Sequence, residues 1–386
     1  MLSRRHFLQT ASVSAGFAGL AASCRPLFGE TPPSSVTSVS GVTSASDEDL
    51  TAELPGRWSE ARAAAWYAKF PWQCGCNYVA SHAVNQIEMW QRSTFNPTII
   101  DAELALAASI GFNTVRIFAH DLVWRTEKEG FFDRVRTFLD LCEKHGISVC
   151  YVFFTNGGKA PSVMGPQPFS PGTHNGEWRQ TPGVEAVINQ PETWDSLKEY
   201  VQKTLETFAD DPRILFWNIF NEPANNPHAV GTLGFMRKAF QWAREVNPSQ
   251  PLSSDHQQKK SPILDFMDRN CDLISFHHYG SAKSLEAYIQ ELKKRNRPVL
   301  CTEWMARHLG STFKDCLPIL CEQNVASYCW GLIPGKLQTN IPWTHLVERF
   351  PDKKDLWFHD IFRADHTPFD PEEVRLIQST VQKKNH

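Results

Sequence analysis

The sequence predicts a single α/β domain folded as a (β/α)8 (TIM) barrel, with long loops after its third and eighth strands. From Trp72 onward, short apolar runs alternate with amphipathic stretches, the pattern of parallel strands joined by helices. Eight strand–helix pairs fit into roughly 300 residues, which suits one barrel of this type. An open doubly wound sheet is the alternative, but the turn after the first strand lacks the glycine-rich phosphate-binding pattern.

The predicted elements follow one another regularly along the chain. Strands are predicted at residues 73–77, 114–118, 148–154, 214–220, 251–254, 273–276, 299–302 and 327–330. Helices are predicted at residues 58–69, 97–110, 131–145, 191–209, 233–246, 262–269, 285–295, 312–323 and 371–383. Many of these helices begin with proline or a capping residue, and Gly111 and Gly146 follow two helix ends, where glycine commonly forms the cap.

The composition is that of a folded protein with a nearly neutral surface. Hydrophobic residues make up 41% of the 386 residues, enough for a large core. The 39 Lys and Arg residues nearly balance the 42 Asp and Glu residues, which leaves a net charge of −3. This balance gives no electrostatic footprint for nucleic acid. We expect a monomer that needs no cofactor.

The N-terminus resembles a twin-arginine export signal over residues 1–23. Arg4 and Arg5 precede Phe7 and Leu8, and the weakly apolar stretch at 11–22 is too short to span a bilayer. The end of the signal is ambiguous between a small-residue cleavage site at 21–23 and a degenerate lipidation motif at Cys24. The signal implies the twin-arginine machinery as a partner and a periplasmic or secreted protein, anchored to a membrane only if Cys24 is lipidated.

Residues 24–56 are rich in Ser, Thr and Pro and are expected to form a flexible linker before a catalytic domain at 57–386. Nine cysteines follow Cys24, an odd number, and Cys150, Cys301 and Cys329 fall in predicted buried strands. We therefore expect reduced core cysteines instead of a disulfide framework. The pair at 74 and 76 has no second Cys or His pair at ligand spacing, so no structural metal is expected.

Polar and aromatic side chains gather at the predicted carboxyl ends of the strands, where barrels of this type place their chemistry. Strand 2 carries Arg116, strand 4 ends in Asn221 and Glu222, and strand 7 ends at Glu303. Strand 6 ends in His277-His278-Tyr279, and strand 8 ends at Trp330. The two glutamates are thus expected to face each other across one barrel mouth.

These motifs resemble the clan A retaining glycoside hydrolases. Asn221-Glu222-Pro223 together with Glu303 carries the resemblance, and His277-x-Tyr279 and Trp330 narrow it to family 5, the cellulase-like group. The stretches at 85–90 and 357–362 are similar to an uncharacterised branch often labelled cellulase- or xylanase-like. The resemblance covers residues 72–386 and implies a retaining β-glycoside hydrolase that acts on β-linked oligo- or polysaccharides.

The resemblance also assigns roles to the motif residues. Glu222 is expected to be the acid/base, protonated because of a drier setting and the charge of Glu303. Glu303 is expected to be the nucleophile, kept ionised by Arg116 and by a hydrogen bond from Tyr279. Asn221 is placed to bind the sugar 2-OH.

Further substrate contacts are expected from one histidine and the aromatic residues. His277 is expected to contact the sugar or to orient Glu222. Trp330 is expected to form the floor under the cleaved sugar. Trp304 and Trp178, in the strand-end loops, are predicted to bind substrate, with packing beneath a loop as the alternative. Trp124 and Trp343 either rim the cleft or pack beneath a loop.

Strand 3 departs from the family pattern because it lacks the usual histidine near its end, which leaves Asn156 or His120 for that role. The long loops at 155–190 and 331–370 are candidates for functional loops. The first holds His174, Asn175 and Trp178, and can wall off one end of the cleft and favour exo action or short oligosaccharides.

Two other functions fit the same fold. A carbohydrate-binding barrel without activity would need Glu222 or Glu303 to be displaced. A metal-dependent sugar isomerase or lyase would need several Glu, Asp and His ligands on neighbouring strand ends, where the sequence offers only His277, His278 and scattered acids. The sequence leaves the sugar, the linkage and endo or exo action open.

Overall fold

The computed structural model describes residues 47–183, 191–225, 229–256, 260–353 and 355–385. The predicted signal at 1–23 and most of the predicted linker, up to residue 46, lie outside the described residues. The prediction that the linker extends to residue 56 is wrong. Helix α1 (Asp47–Thr51) lies within that stretch, and the buried Leu54 donates its backbone N–H to Asn270 Oδ1 at 2.7 Å.

Nine parallel strand segments form a nearly closed barrel, the fold that the sequence predicts with eight strands. Neighbours follow the order β5-β4-β3-β2-β1-β9-β8-β7-β6. β5 lies within the fifth predicted strand, and β6 continues just beyond its predicted end at residue 254. The segments are β1 Cys74–Tyr78, β2 Thr114–Phe118, β3 Ser148–Thr155, β4 Ile214–Asn221, β5 Leu252–Ser253, β6 Asp255–His256, β7 Ile274–His278, β8 Val299–Trp304 and β9 Ala326–Trp330.

Helices connect the strands and cover the outside of the barrel. After α1 they are α2 Glu60–Tyr67, α3 Gln86–Trp90, α4 Pro97–Ser109, α5 Asp121–Glu127, α6 Glu129–Lys144, α7 Trp194–Phe208, α8 Ala229–Val246, α9 Pro262–Asn270, α10 Ala282–Lys293, α11 Phe313–Glu322, α12 Thr344–Arg349 and α13 Pro371–Asn385. Asn96, Ser261 and Thr312 cap three of them, each with a side-chain oxygen that accepts a backbone N–H in the first turn.

Alternation along the strands separates the barrel interior from its outer wall. On β4, Trp217 packs outward against Tyr151 and Phe153 of β3. The next residue, Asn218, points inward and makes its hydrogen bond within the barrel. At the amino end of the barrel, Trp58 and Trp66 of the N-terminal segment pack with strand residues in one apolar cluster. This segment therefore closes the amino end of the barrel and leaves the carboxyl end open.

Register shifts occur at two strand pairs beside the carboxyl end of the barrel. One lies between β7 and β8, at Phe276 and His277, and brings His277 opposite Glu303. The other lies between β8 and β9, at Cys301 and Trp304. Bulges of this type re-aim side chains at barrel rims. Here the first shift places an imidazole beside a carboxylate.

Cys150, Cys301 and Cys329 are buried strand residues, as predicted, and the nine cysteines of the described residues form no disulfide with one another. Among the same residues, no helix has both the length and the apolar character that a membrane span requires.

Asp272 ties the N-terminal segment to the barrel wall. Its buried carboxylate accepts backbone N–H groups from Trp58 and Leu252, each at 2.8 Å, and both terminal nitrogens of Arg244 at 2.8 Å. Asp272→Ala leaves the guanidinium buried without its partner. We expect a loss of about 3–5 kcal/mol in the free energy of unfolding, measured by urea denaturation.

The control for Asp272→Ala is Glu206→Ala. This substitution removes an exposed ion pair with Lys203, whose two charged atoms are 2.7 Å apart. It should change the free energy of unfolding by at most about 0.5–1 kcal/mol. Equal stability of the two variants would contradict the anchoring role of Asp272.

Candidate active site

A cleft of about 570 Å³ opens at the carboxyl end of the barrel and contains both predicted glutamates. Its lining comes from the ends of the strands and from the loops after β3 and β9. The lining side chains include Phe118, Thr155, His174, Asn175, Trp178, Asn221, Glu222, Tyr279, Glu303, Trp330 and Trp343.

The fully buried guanidinium of Arg116 organises the base of this cleft. Its Nη1 donates to Glu303 Oε1 and to Asn77 Oδ1, both at 2.8 Å. Its Nη2 donates to Asn221 Oδ1 at 2.6 Å and to Asp255 Oδ2 at 3.0 Å. Arg116 thereby joins four strands and orients one of the two catalytic candidates directly.

Asp255 is a site residue that the sequence reasoning missed. It is buried, and burial alone would raise its pKa, but the charges of Arg116 and His277 hold the pKa well below its ordinary value. Its Oδ1 accepts hydrogen bonds at 2.8–3.1 Å from Asn218, Ser275 and Thr302. The sequence does contain an indication of this role, because the carboxylate directly follows the fifth predicted strand, at the end of the barrel where the site lies.

His277 lies between the two glutamates and Asp255. Its Nδ1 is 2.7 Å from Glu222 Oε1 and 3.4 Å from Glu303 Oε2, and its Nε2 is 3.5 Å from Asp255 Oδ1. Burial lowers its pKa, but the negative charges of Glu303 and Asp255 outweigh burial and raise the pKa to about 10. His277 is therefore a cation at neutral pH and donates its Nδ1–H toward Glu222.

Glu303 is held through both of its oxygens. Arg116 donates to Oε1, and Tyr279 donates its hydroxyl to Oε2 at 2.8 Å. Burial raises the pKa of Glu303, while the charges of His277 and Arg116 oppose that rise. The expectation that Arg116 and Tyr279 lower this pKa is therefore incomplete, because these partners limit an increase that burial imposes.

The expectation that Glu222 occupies the drier setting is wrong. Its side chain is 30% exposed, against 7% for Glu303, because the cleft opens on the Glu222 side. Asn225 Nδ2 donates to Glu222 Oε2 at 2.7 Å. The backbone of Glu222 has φ 48°, a left-handed conformation that is rare for a residue with a Cβ and that often marks functional sites.

Asn221 is oriented by two neighbours. Its Oδ1 accepts from Arg116, and its Nδ2 donates to Thr155 Oγ1 at 3.1 Å. Neither candidate for the missing histidine of the third strand lines the cleft. His120 is buried and bonds to Ser162, and Asn156 donates to the backbone oxygen of Pro223. The cleft position at the end of β3 belongs to Thr155 instead.

The predicted aromatic residues divide into two groups. Trp330, Trp178 and Trp343 line the cleft, and the Trp178 and Trp330 rings meet edge to face at 6.1 Å. The prediction that Trp304 binds substrate is wrong. Its ring is fully buried against Phe313 of α11 at 5.1 Å, because Glu303 points into the barrel and the next residue of a strand must point outward.

Trp124 belongs with the buried tryptophans. Its ring is 2% exposed and packs against Tyr200 at 5.5 Å, beneath the surface of the barrel wall.

The cluster of Glu222, His277 and Glu303 has the spacing of a metal site, since one ligand atom from each lies within 4.8 Å of the others. The electrostatics oppose that use. The carboxylates raise the pKa of His277 to about 10, so a metal ion would have to displace a proton from this imidazole before it could bind there. The cluster instead holds two carboxylates close together around a positive charge.

Comparison with known proteins identifies the family. The sequence profile described as cellulase, glycosyl hydrolase family 5, matches residues 77–333, about two thirds of the chain. The chain belongs to glycosyl hydrolase family 5. The match spans β1 to β9 and includes each of the motif residues from Asn221 to Trp330 on which the resemblance was based.

Solved structures share the fold at low sequence identity. The exo-β-1,4-mannosidase of Opitutaceae bacterium strain TAV5 has a TM-score of 0.58 and 18% identity to this chain. The matched region covers 81% of this chain and 60% of the mannosidase chain. The endo-β-1,4-mannanase of Thermotoga petrophila has a TM-score of 0.52 and 13% identity, with coverage of 82% and 77%. Because exo- and endo-acting proteins share this barrel, the fold alone does not fix the mode of action.

The human β-glucuronidase is 22% identical over 149 residues, which are 35% of this chain and 23% of that protein. The chain thus spans about a quarter of the length of this curated relative, and 60% of the length of the mannosidase.

The hydrogen bond from Tyr279 to Glu303 should appear in the pH dependence of glycoside hydrolysis. The attacking group must be ionised, and loss of the donor raises its pKa. Tyr279→Phe should move the acidic limb of kcat/KM to higher pH and lower kcat/KM roughly tenfold to a thousandfold.

Tyr67→Phe is the control for Tyr279→Phe, because the Tyr67 hydroxyl donates to the backbone oxygen of Asn324, away from the cleft. An acidic limb that stays in place in Tyr279→Phe, at full activity, would remove Tyr279 from the site.

Proposed function

We propose that the protein is a retaining β-glycoside hydrolase that cleaves β-linked oligo- or polysaccharides by double displacement. The observation that carries the proposal is the separation of the two carboxylates: an oxygen of Glu222 and an oxygen of Glu303 lie within 4.8 Å of each other. Retaining enzymes hold their carboxyl groups about 5–5.5 Å apart, whereas inverting enzymes need about 6.5–9.5 Å to admit a water.

In the first step, Glu303 attacks the anomeric carbon and forms a glycosyl ester with it. The bond between that carbon and the leaving oxygen breaks, and Glu222 gives its proton to the leaving oxygen. Arg116 and Tyr279 hold the two oxygens of Glu303, so the attacking carboxylate is already oriented before substrate arrives.

In the second step, Glu222 acts as the base and removes a proton from water, which attacks the anomeric carbon and releases Glu303. The charged His277, 2.7 Å from Glu222, stabilises the carboxylate form that exists between the two steps. Two inversions at one carbon give net retention of configuration.

The remaining site residues are proposed to hold the sugar. An amide has two N–H donors, and Asn221 uses one of them toward Thr155, so the other is left for the sugar 2-OH. Trp330 offers an aromatic face to the apolar C–H face of the ring, and its Nε1 has no partner among the described residues.

The two alternatives are less well supported. A carbohydrate-binding barrel without activity needs a displaced carboxylate, yet both glutamates lie in the cleft. A metal-dependent isomerase or lyase would have to displace the proton that Glu303 and Asp255 stabilise on His277 before this residue could serve as a ligand. A measurement of metal content on the purified active protein separates this last reading from a hydrolase.

Export is proposed from the sequence of residues 1–23, so that the enzyme acts as a monomer in the periplasm or outside the cell. Replacing Arg4 and Arg5 with lysine should leave the protein in the cytoplasm, as measured by cell fractionation. Unchanged export of that variant would reject the twin-arginine route.

The division of labour between the glutamates predicts opposite stereochemistry in two variants. Glu303→Ala removes the attacking group, so added azide should give a glycosyl azide of inverted configuration from an activated substrate. Glu222→Ala keeps the attacking group, so azide should give the retained product after a glycosyl ester accumulates on Glu303. The product anomers are measured by NMR.

Wild-type protein with azide is the reference for both variants. The reverse pair of outcomes would exchange the two roles. Near wild-type activity of either variant on a natural oligosaccharide would overturn the proposed function.

A further inference from the structure

The loop after β3 and the loop after β9 are joined across the barrel mouth. Asn175 donates its backbone N–H to the Leu337 oxygen at 2.9 Å, and Gly172 donates to Gln338 Oε1 at 2.6 Å. The side-chain amide of Gln338 donates in return to the backbone oxygens of Ser170 and Thr173, at 2.7 and 3.0 Å. Because β1 and β2 lie between β3 and β9 in the sheet, these bonds bridge the mouth above β1 and β2.

The loop after β1 supports this bridge from below. Gln86 exchanges hydrogen bonds with the backbone of Arg179, at 2.9 and 3.2 Å, and Lys336 donates its backbone N–H to the Ser81 oxygen at 2.9 Å. A side chain at Gly335 would place its Cβ 2.2 Å from that same oxygen, so only glycine permits this approach. We call the bonded segments 170–179 and 335–341 the wall.

The wall adjoins the side of the cleft where the nucleophile lies. Trp178 of the wall meets Trp330, the proposed sugar floor. The ring of His174 meets Trp343 at 6.3 Å, and Trp343 meets Tyr279 at 5.0 Å. Since Glu303 bonds to the sugar whose glycosidic bond is cleaved, this sugar lies against the wall. The leaving group then departs on the open side, past Glu222.

His174 lines this part of the cleft and carries an unused acceptor, which is buried in this structure. Its Nδ1 is 2.7 Å from the backbone oxygen of Ile341, which can only accept, so Nδ1 carries the hydrogen. Burial lowers the pKa of His174 to about 4, although the bond to Ile341 opposes that change, so the ring is neutral. Its Nε2 therefore has a free lone pair, and it has no partner among the described residues.

Asn175 presents a second acceptor, because its buried Oδ1 also lacks a partner within the described part of the chain. Its backbone has φ 49°, which Asn tolerates better than most residues. Lys and Arg are absent from the described residues that line the cleft. Two neutral acceptors with no Lys or Arg beside them in the lining suit the hydroxyl groups of an uncharged sugar and disfavour the carboxylate of a uronic acid.

We propose that the wall limits the cleft to one uncharged sugar at the non-reducing end of the substrate, with His174 and Asn175 accepting hydrogen bonds from its hydroxyl groups. This inference rests on the proposed hydrolase function and makes the enzyme exo-acting. In this proposal the wall blocks the position of a further sugar beyond the one that is cleaved, and the two acceptors are specificity-determining residues.

The first test uses the wild-type protein. A β-linked oligosaccharide reduced at one end should lose single sugars from the other end, as measured by chromatography with time. Neutral 4-nitrophenyl β-glycosides should be hydrolysed at least a hundredfold faster than the β-glucuronide. Early release of internal fragments, or comparable hydrolysis of the glucuronide, would overturn the inference while leaving the hydrolase function intact. No hydrolysis of any glycoside would overturn both.

The second test uses His174→Asn, in which the shorter amide keeps a donor for the Ile341 oxygen and removes the Nε2 acceptor. On the preferred aryl glycoside, kcat/KM should fall roughly 10- to 100-fold. On the monodeoxy glycoside that lacks the hydroxyl bound by His174, the same substitution should lower kcat/KM less than about threefold.

Asn175→Gly is the matched variant at the second acceptor, since glycine keeps the left-handed backbone. On the preferred aryl glycoside, its kcat/KM should also fall roughly 10- to 100-fold. On the monodeoxy glycoside that lacks the hydroxyl bound by Asn175, the loss should be less than about threefold. Equal losses on the parent and on every monodeoxy glycoside, for both variants, would indicate a structural role only and would overturn the assignment of the two acceptors.

Discussion

The buried guanidinium of Arg116 is the interaction on which the rest of the site depends. A buried cation is costly unless opposite charges and hydrogen-bond acceptors surround it. Here Glu303 and Asp255 supply the charges, while Asn77 and Asn221 supply neutral acceptors. The four partners come from four different strand segments, so the pairing can form only when the barrel is closed in the correct register.

The charges around Arg116 also explain the acid–base behaviour of the site. Arg116 and His277 are two cations, and Asp255, Glu303 and Glu222 are three carboxyl groups within the same cluster. Asp255 has a pKa well below the ordinary value, so it stays ionised and holds the proton on His277. The two glutamates are then the remaining carboxyl groups of the cluster, next to the charged imidazole of His277.

The sequence predicted that the two glutamates lie together in one cleft, because barrel topology makes strand ends meet. Glu222 and Glu303 could be placed from the strand pattern alone. Trp304 was misplaced, although the strand rule that turns Glu303 inward turns its neighbour outward. Asp255 was missed because the fifth strand is split into two short pieces, and the predicted strand stopped one residue before this carboxylate.

Other features depend on contacts that no local pattern encodes. The free lone pair of His174 follows from a bond to Ile341, a residue of a different loop. The greater exposure of Glu222 follows from the side on which the cleft opens, and the protonation of His277 follows from charges on β6 and β8. The helix within residues 47–56 was also missed, because its fixed position comes from contacts with residues such as Asn270 instead of its own composition.

The bonds between the two loops of the wall have a consequence for how the protein is made. They join residues 162–168 positions apart in the sequence. Contacts of such long range form only after the intervening chain has been ordered, because closing a long loop has a high entropic cost. During synthesis, the sugar pocket therefore cannot exist until residue 341 has left the ribosome. A chain that stops earlier can hold Glu222 and Glu303 and still lack the completed wall that is proposed to select the sugar.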